Sequence, residues 1–84
     1  MNELTKTIIK SGLIVEVNNF RYATIVVVKS NTHKREYRKE HFKRMCSKTF
    51  LNFVNKLEQI DFKDNLQQLF SFLDNMNYQV VQNE

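Results

Sequence analysis

The chain lacks the residues on which several classes of protein depend. Its 84 residues include no Pro, no Trp, one Gly and one Cys. A lone cysteine cannot form an intrachain disulfide, so a disulfide-stapled secreted fold is excluded. No segment approaches the roughly 20 apolar residues of a membrane span, and the first ten residues hold no apolar core of signal-peptide length. These absences predict a cytoplasmic protein that does not bind a membrane.

Residues that commonly form phosphate-binding, metal-binding or catalytic sites are also scarce. A single glycine cannot build a glycine-rich phosphate loop. His33, His41 and Cys46 do not have the spacing of a zinc site, and Cys46 falls on an apolar helical stripe, where we expect it to be buried. Asp61 and Asp64 are explained by a helix N-terminus, which carboxylates stabilise. The sequence therefore predicts a protein that is not an enzyme and has no cofactor or metal.

The residues that are present predict one small globular domain over 1–84. Hydrophobic residues make up 42% of the chain, which is enough for a core and too much for a disordered tail. Asn2 and Gly12 bracket a predicted helix over residues 3–11. Alternating apolar residues on both sides of Asn18-Asn19 predict a β-hairpin, in which Val17 pairs with Phe20. Ser30-Asn31-Thr32 predicts a second turn, followed by a polar edge strand or a helix start over residues 33–38.

Two amphipathic helices are predicted in the second half. The first covers 39–59 and has its apolar stripe at Phe42, Met45, Cys46, Phe50, Phe53 and Leu57. The second begins at Asp61 and has Asn75 and Asn77 near its end, and its apolar stripe is Phe62, Leu66, Leu69, Phe70, Leu73 and Met76. A short strand over 78–81 completes the chain. The predicted fold is α+β, a small antiparallel sheet of two to four strands with three helices, in the order α-β-β-(β)-α-α-(β). The predicted order of a helix, three strands and a helix resembles that of double-stranded RNA-binding domains, and the resemblance is one of topology alone.

Positive charge is concentrated in one segment. Eight of the 13 Lys and Arg residues lie between Lys29 and Lys48, and the net charge is +4. Cations at this density are tolerated where phosphates, an acidic partner or solvent offset their field. Tyr37 lies within the segment, where its ring could stack on a base or pack at a strand edge. The candidate binding residues are Lys34, Arg35, Tyr37, Arg38, Lys39, Lys43, Arg44 and Lys48.

Two functions fit this pattern. The first is a nucleic-acid-binding module, for DNA or RNA, that places these cations on phosphates. The second is an inhibitor or interaction module of phage or plasmid type, which would place them on an acidic or nucleic-acid-binding surface of a host enzyme. A composition with ten Asn, and nine Lys against four Arg, is typical of the AT-rich genomes of such elements. The apolar Ile25–Val28 strand also allows a homodimer, which is compatible with either function.

Overall fold

The protein folds as a five-stranded antiparallel sheet with two helices against one face. The computed structural model describes residues 4–10, 12–41, 45–60 and 66–83. The strands are β1 (Leu4–Lys10), β2 (Leu13–Asn19), β3 (Ala23–Lys29), β4 (Lys34–Glu40) and β5 (Gln79–Asn83). The helices α1 (Ser47–Gln59) and α2 (Leu66–Asn75) lie between β4 and β5 in the chain. Neighbours in the sheet follow chain order, β1-β2-β3-β4-β5.

The predicted first helix is wrong, and with it the prediction of three helices. Residues Leu4–Lys10 form the edge strand β1, so the described residues contain two helices in the order β-β-β-β-α-α-β. Thr5, Thr7, Ile8 and Ile9 are β-branched and favour a strand over a helix. Gly12 does have the left-handed conformation expected of it, with φ 80°, but it occupies the turn between β1 and β2. The broad α+β class is retained.

The boundaries of the later elements also differ from those predicted. Residues Lys34–Glu40 form β4, which pairs with β3 and β5 and is therefore not an edge strand. The first helix begins at Ser47 rather than at residue 39. The predicted start of the next helix, Asp61, lies outside the described residues together with Phe42 and Phe62. The turn at Ser30 is as predicted, and the terminal strand is present but covers Gln79–Asn83 rather than 78–81. Asn77, with φ 68°, follows the end of α2.

The register of the β2–β3 hairpin is also different from the predicted one. Val17 pairs with Val26 and Asn19 with Thr24, so the turn comprises Phe20 and the residues after it rather than Asn18-Asn19. The Phe20 amide donates to the Ala23 carbonyl over 2.8 Å. This register places Val15 opposite Val28 and Val17 opposite Val26 on the helix-covered face.

The core lies between the sheet and the helices. Each helix contributes one apolar face, and the rings of Phe53 and Tyr78 stack with their centroids 5.3 Å apart. Side chains that are fully or almost fully buried include Val15, Val17, Val26, Tyr37, Phe50, Leu57, Leu69 and Leu73. The opposite face of the sheet, here called the open face, is not covered by either described helix.

Candidate functional site

The alternation of strand β4 divides the basic segment between the two faces of the sheet. Lys34 and Arg38 are on the open face, in register with Lys29 and Ile25 of β3. Arg35, Tyr37 and Lys39 are on the helix-covered face, because successive side chains of a strand point to opposite sides. The structure therefore does not join the predicted binding residues into a single surface.

Tyr37 is part of the core. Its side chain is 1% exposed, and its ring lies 5.9 Å from that of Phe70 in α2. Its hydroxyl accepts a hydrogen bond from Nη1 of Arg35 over 3.3 Å. Neither role considered for Tyr37 matches the structure, because its ring is buried in the core and β4 is not an edge strand.

Two of the predicted cations lie over aromatic rings of the protein itself. The Arg35 guanidinium is 4.2 Å from the centroid of Phe70, and the Lys39 ammonium is 5.8 Å from that of Tyr78. Such cation–π contacts contribute about 0.5–1 kcal/mol each at partly exposed sites. Both residues remain half-buried rather than enclosed, so each still offers positive charge at an end of β4.

The remaining predicted residues are placed as follows. Lys48 is exposed in the first turn of α1, whereas Lys43 and Arg44 lie outside the described residues. His33 precedes β4 and His41 follows it, roughly 26 Å away along an extended strand, so the two cannot share a metal ion. The prediction that Cys46 is buried is wrong: it is exposed at the N-cap of α1. The Thr49 hydroxyl, 3.2 Å from Sγ, is the main cause that lowers the pKa of this thiol.

The open face is electrically balanced. Its cations Lys29, Lys34 and Arg38 are matched by three carboxylates, those of Glu16, Glu36 and Glu40. Lys29 contacts Glu16 over 3.1 Å, and Arg38 contacts Glu40 over 3.5 Å. The formal charges of the described residues on the open face therefore cancel.

Aromatic and cationic side chains, exposed or half-buried, lie close together at one end of the sheet, where the β2–β3 turn is beside the end of β4. We call this group, formed by Arg21, Tyr22, Arg38, Lys39 and His41, the Tyr22 patch. Tyr22 is 56% exposed, and the Arg21 guanidinium lies 5.4 Å from its ring centroid. The His41 amide donates to the Tyr22 carbonyl over 2.8 Å, which fixes the turn against β4.

Two open cavities flank this patch. One, of about 380 Å³, is lined by Tyr22, Arg38, Glu40 and His41. The other, of about 430 Å³, is bordered by Arg38, Lys39 and Glu40 together with residues of the α2–β5 connection and β5. The three Lys and Arg cations of the patch outnumber the adjacent Glu40, so this end of the sheet carries net positive charge beside an exposed ring.

A network of buried and partly buried hydrogen bonds links His41 of the Tyr22 patch to Thr24 and Asn19. The Thr24 hydroxyl donates to Asn19 Oδ1 over 3.1 Å and contacts His41 Nε2 over 2.8 Å. Since the single hydroxyl proton is used on Asn19, Nε2 of His41 is the donor in the second bond. Asn19 also donates to the Met45 carbonyl over 3.3 Å, which anchors the segment that enters α1. Burial, and then the charge of Lys39, lower the pKa of His41, which favours the neutral form of this histidine.

The chain matches no protein-family model, no curated protein and no solved structure. Function must therefore be inferred from the geometry. Within the part of the chain that the structure describes, neither helix is long and apolar enough to cross a membrane. Among the same residues, no three His, Cys, Asp or Glu side chains lie close enough together to hold a metal ion.

The sequence alone did not identify Arg21 and Tyr22 as site residues. The predicted register placed Tyr22 on the apolar side of a hairpin, opposite Val15. Only the observed register, which moves the turn to Phe20 and the residues after it, exposes the ring. That predicted register put Arg21 and Tyr22 in a strand, so no signal in the sequence indicated that they lie in an exposed turn.

Proposed function

We propose that this protein is a non-enzymatic, cytoplasmic nucleic-acid-binding module that uses the Tyr22 patch. The observation that carries the proposal is the exposed Tyr22 ring flanked by Arg21 on one side and by the cavity of Arg38 and His41 on the other. Proteins that bind single strands combine aromatic platforms with a cationic groove that follows the phosphates. A stacking ring needs an unpaired base, so the preferred ligand is single-stranded DNA or RNA.

Each residue of the patch has a distinct role in this proposal. Tyr22 stacks on one base, while Arg21 keeps the ring oriented through its cation–π contact. Arg38 and Lys39 lie on opposite faces at the end of β4, so they contact phosphates from opposite sides of this strand end. Arg38 exchanges its exposed contact with Glu40 for one with a phosphate at little cost, because surface ion pairs contribute only about 0–1 kcal/mol. Lys48, exposed on α1, adds long-range attraction.

A matched pair of substitutions tests the cationic part of the patch. Arg38→Gln and Lys34→Gln each remove one positive charge from the open face of β4, at opposite ends of the strand. We expect Arg38→Gln to weaken binding of a fluorescent single-stranded oligonucleotide and to reduce the slope of log K against log salt by roughly 0.7. Lys34→Gln should leave that slope nearly unchanged. Equal effects of the two substitutions would show that net charge, rather than the patch, drives binding.

A second function is favoured by a different surface. Ile9 and Ile14 are cross-strand partners on the open face, and they are 75% and 37% exposed. A balanced face with exposed isoleucines suits a protein partner better than a polyanion. An inhibitor or interaction module, or a homodimer that uses Ile25 on the same face, would be impaired by Ile14→Glu. That substitution should leave oligonucleotide binding intact, so it separates this alternative from the first proposal.

A further inference from the structure

An apolar cavity lies at the other end of the sheet from the Tyr22 patch. It has a volume of about 220 Å³ and opens between β3 and α2. Its walls are Leu13, Val28, Leu66 and Phe70. Because a dry cavity of roughly 150 Å³ is enough to hold a benzene ring, this cavity accommodates one six-membered ring with a short substituent.

The rest of the cavity lining is polar. Ser30, His33 and Arg35 complete the lining. Their turn is fixed, since the Ser30 amide donates to the His33 carbonyl over 2.8 Å and the His33 amide donates to Ser30 Oγ over 3.1 Å. Lys34 shares a shallower cleft with His33 on the outer side of the turn. The charged lining group of the cavity, Arg35, is therefore cationic, whereas Lys34 belongs to the separate outer cleft.

The Arg35 guanidinium is positioned by two contacts and keeps N–H donors that can bind an anion. Its guanidinium is stacked on Phe70 at 4.2 Å, and its Nη1 donates to the Tyr37 hydroxyl. A guanidinium has five N–H donors in a rigid fork, so the bond to Tyr37 uses only part of its capacity. The contact with Phe70 restrains the guanidinium while Phe70 also forms an apolar wall, so an anion bound by Arg35 and a ring inside the cavity contact the same pair of residues.

We infer that this cavity binds a small organic acid with one apolar ring and a carboxylate, which pairs with Arg35 at the mouth. The chemistry follows from the lining: apolar walls with few convergent polar groups are typical of small-molecule sites, and Arg recognises carboxylates through paired N–H bonds. The inference does not depend on nucleic-acid binding, because the cavity shares no residue with the Tyr22 patch.

Phenylacetate and its neutral isostere phenylacetamide test the inference. In a ¹H–¹³C and ¹H–¹⁵N titration followed by NMR, phenylacetate should shift the methyl signals of Leu13, Val28 and Leu66 and the Nε signal of Arg35. It should bind about tenfold more tightly than the amide, since a charge-assisted bond replaces a neutral one. Equal affinity for the two compounds, shifts confined to other residues, or no saturable shift up to about 10 mM, where a ligand contributes under 3 kcal/mol, would overturn it.

Matched variants localise the effect. Arg35→Gln should remove the preference for phenylacetate, whereas Lys34→Gln, an equal change of charge on the neighbouring residue of the opposite face, should retain it. Leu66→Trp fills the cavity from the half-buried wall of α2 and should abolish binding of both compounds. Circular dichroism confirms that each variant is folded. A preference that survives Arg35→Gln in the folded protein would contradict the assignment of the anion to that residue.

Discussion

Replacement of Leu69 tests the packing of α2 on the sheet, on which the whole architecture depends. Leu69 is fully buried, in a ten-residue helix whose other buried side chain is Leu73. Leu69→Ala removes buried apolar surface and leaves a cavity that the surroundings fill only in part, so it should cost about 2–5 kcal/mol. A domain of this size has a total stability of roughly 4–13 kcal/mol. The substitution therefore removes a large fraction of the stability.

Urea unfolding followed by circular dichroism measures this loss. Leu51→Ala is the matched control, because Leu51 lies on α1 with 44% of its surface exposed. That change should alter the free energy of unfolding by less than about 0.5–1 kcal/mol. If the two substitutions cost the same, or if Leu69→Ala costs below about 0.5 kcal/mol, α2 does not pack as described.

Three further predictions concern single residues. Burial raises the pKa of Tyr78 to about 12; since the unfolded phenol titrates near 10, the wild type should lose about 2 kcal/mol as the pH rises from 10 to 12. Tyr78→Phe should lack that loss when both proteins are unfolded in urea across this range, and parallel pH profiles would contradict it. Gly12→Ala should cost about 1–2 kcal/mol from backbone strain alone, because φ is 80° and a Cβ would meet no atom within 4 Å; Gly12→Asn should lower the melting temperature less, and an equal loss would refute strain as the cause. Cys46 is exposed, so iodoacetamide should alkylate it in the native state, as mass spectrometry would show, and Cys46→Ser should change stability by less than about 0.5 kcal/mol; alkylation only in urea would mean that it is buried.

The first strand shows where local sequence patterns mislead. Thr5, Thr7, Ile8 and Ile9 favour a strand, but Lys6 and Lys10 occupy positions of the helix-covered face and break the expected alternation. An edge strand tolerates this, because a lysine stem lies along apolar surface while its ammonium reaches outward. Nζ of Lys10 donates to the carbonyls of Glu58 and Ile60 at the end of α1. Those partners are about 50 residues away in the chain, so no local window contains them.

Amphipathic helices were easier to predict than strand register. The stripes of Phe50, Phe53 and Leu57 and of Leu69 and Leu73 are confirmed as buried, since a helical period is a local property. Register depends instead on which turn brings the most apolar residues together across the sheet. The Asn18-Asn19 turn satisfied local rules, but the observed, longer loop aligns Val15 with Val28.

The sequence revealed the high density of positive charge among the candidate binding residues, but not which of them share a surface. A run such as Lys34 to Glu40 has no defined face until it is known to be a strand, and then its side chains alternate. The burial of Tyr37 depends on α2, which follows it by about 30 residues. The exposure of Tyr22 depends on the β2–β3 register. Both facts are long-range, and together they move the candidate aromatic contact from Tyr37 to Tyr22.

The most direct test of the proposed function is the affinity of a fluorescent single-stranded oligonucleotide for the wild type, Tyr22→Ala and Tyr22→Phe, measured by anisotropy at fixed salt. Stacking on one base is worth about 1–3 kcal/mol, so Tyr22→Ala should weaken binding by roughly five- to 150-fold. Tyr22→Phe keeps the ring and should bind like the wild type. Binding that is unchanged in Tyr22→Ala, or a wild-type affinity weaker than roughly 10⁻⁴ M at physiological salt, would contradict nucleic-acid binding through the Tyr22 patch.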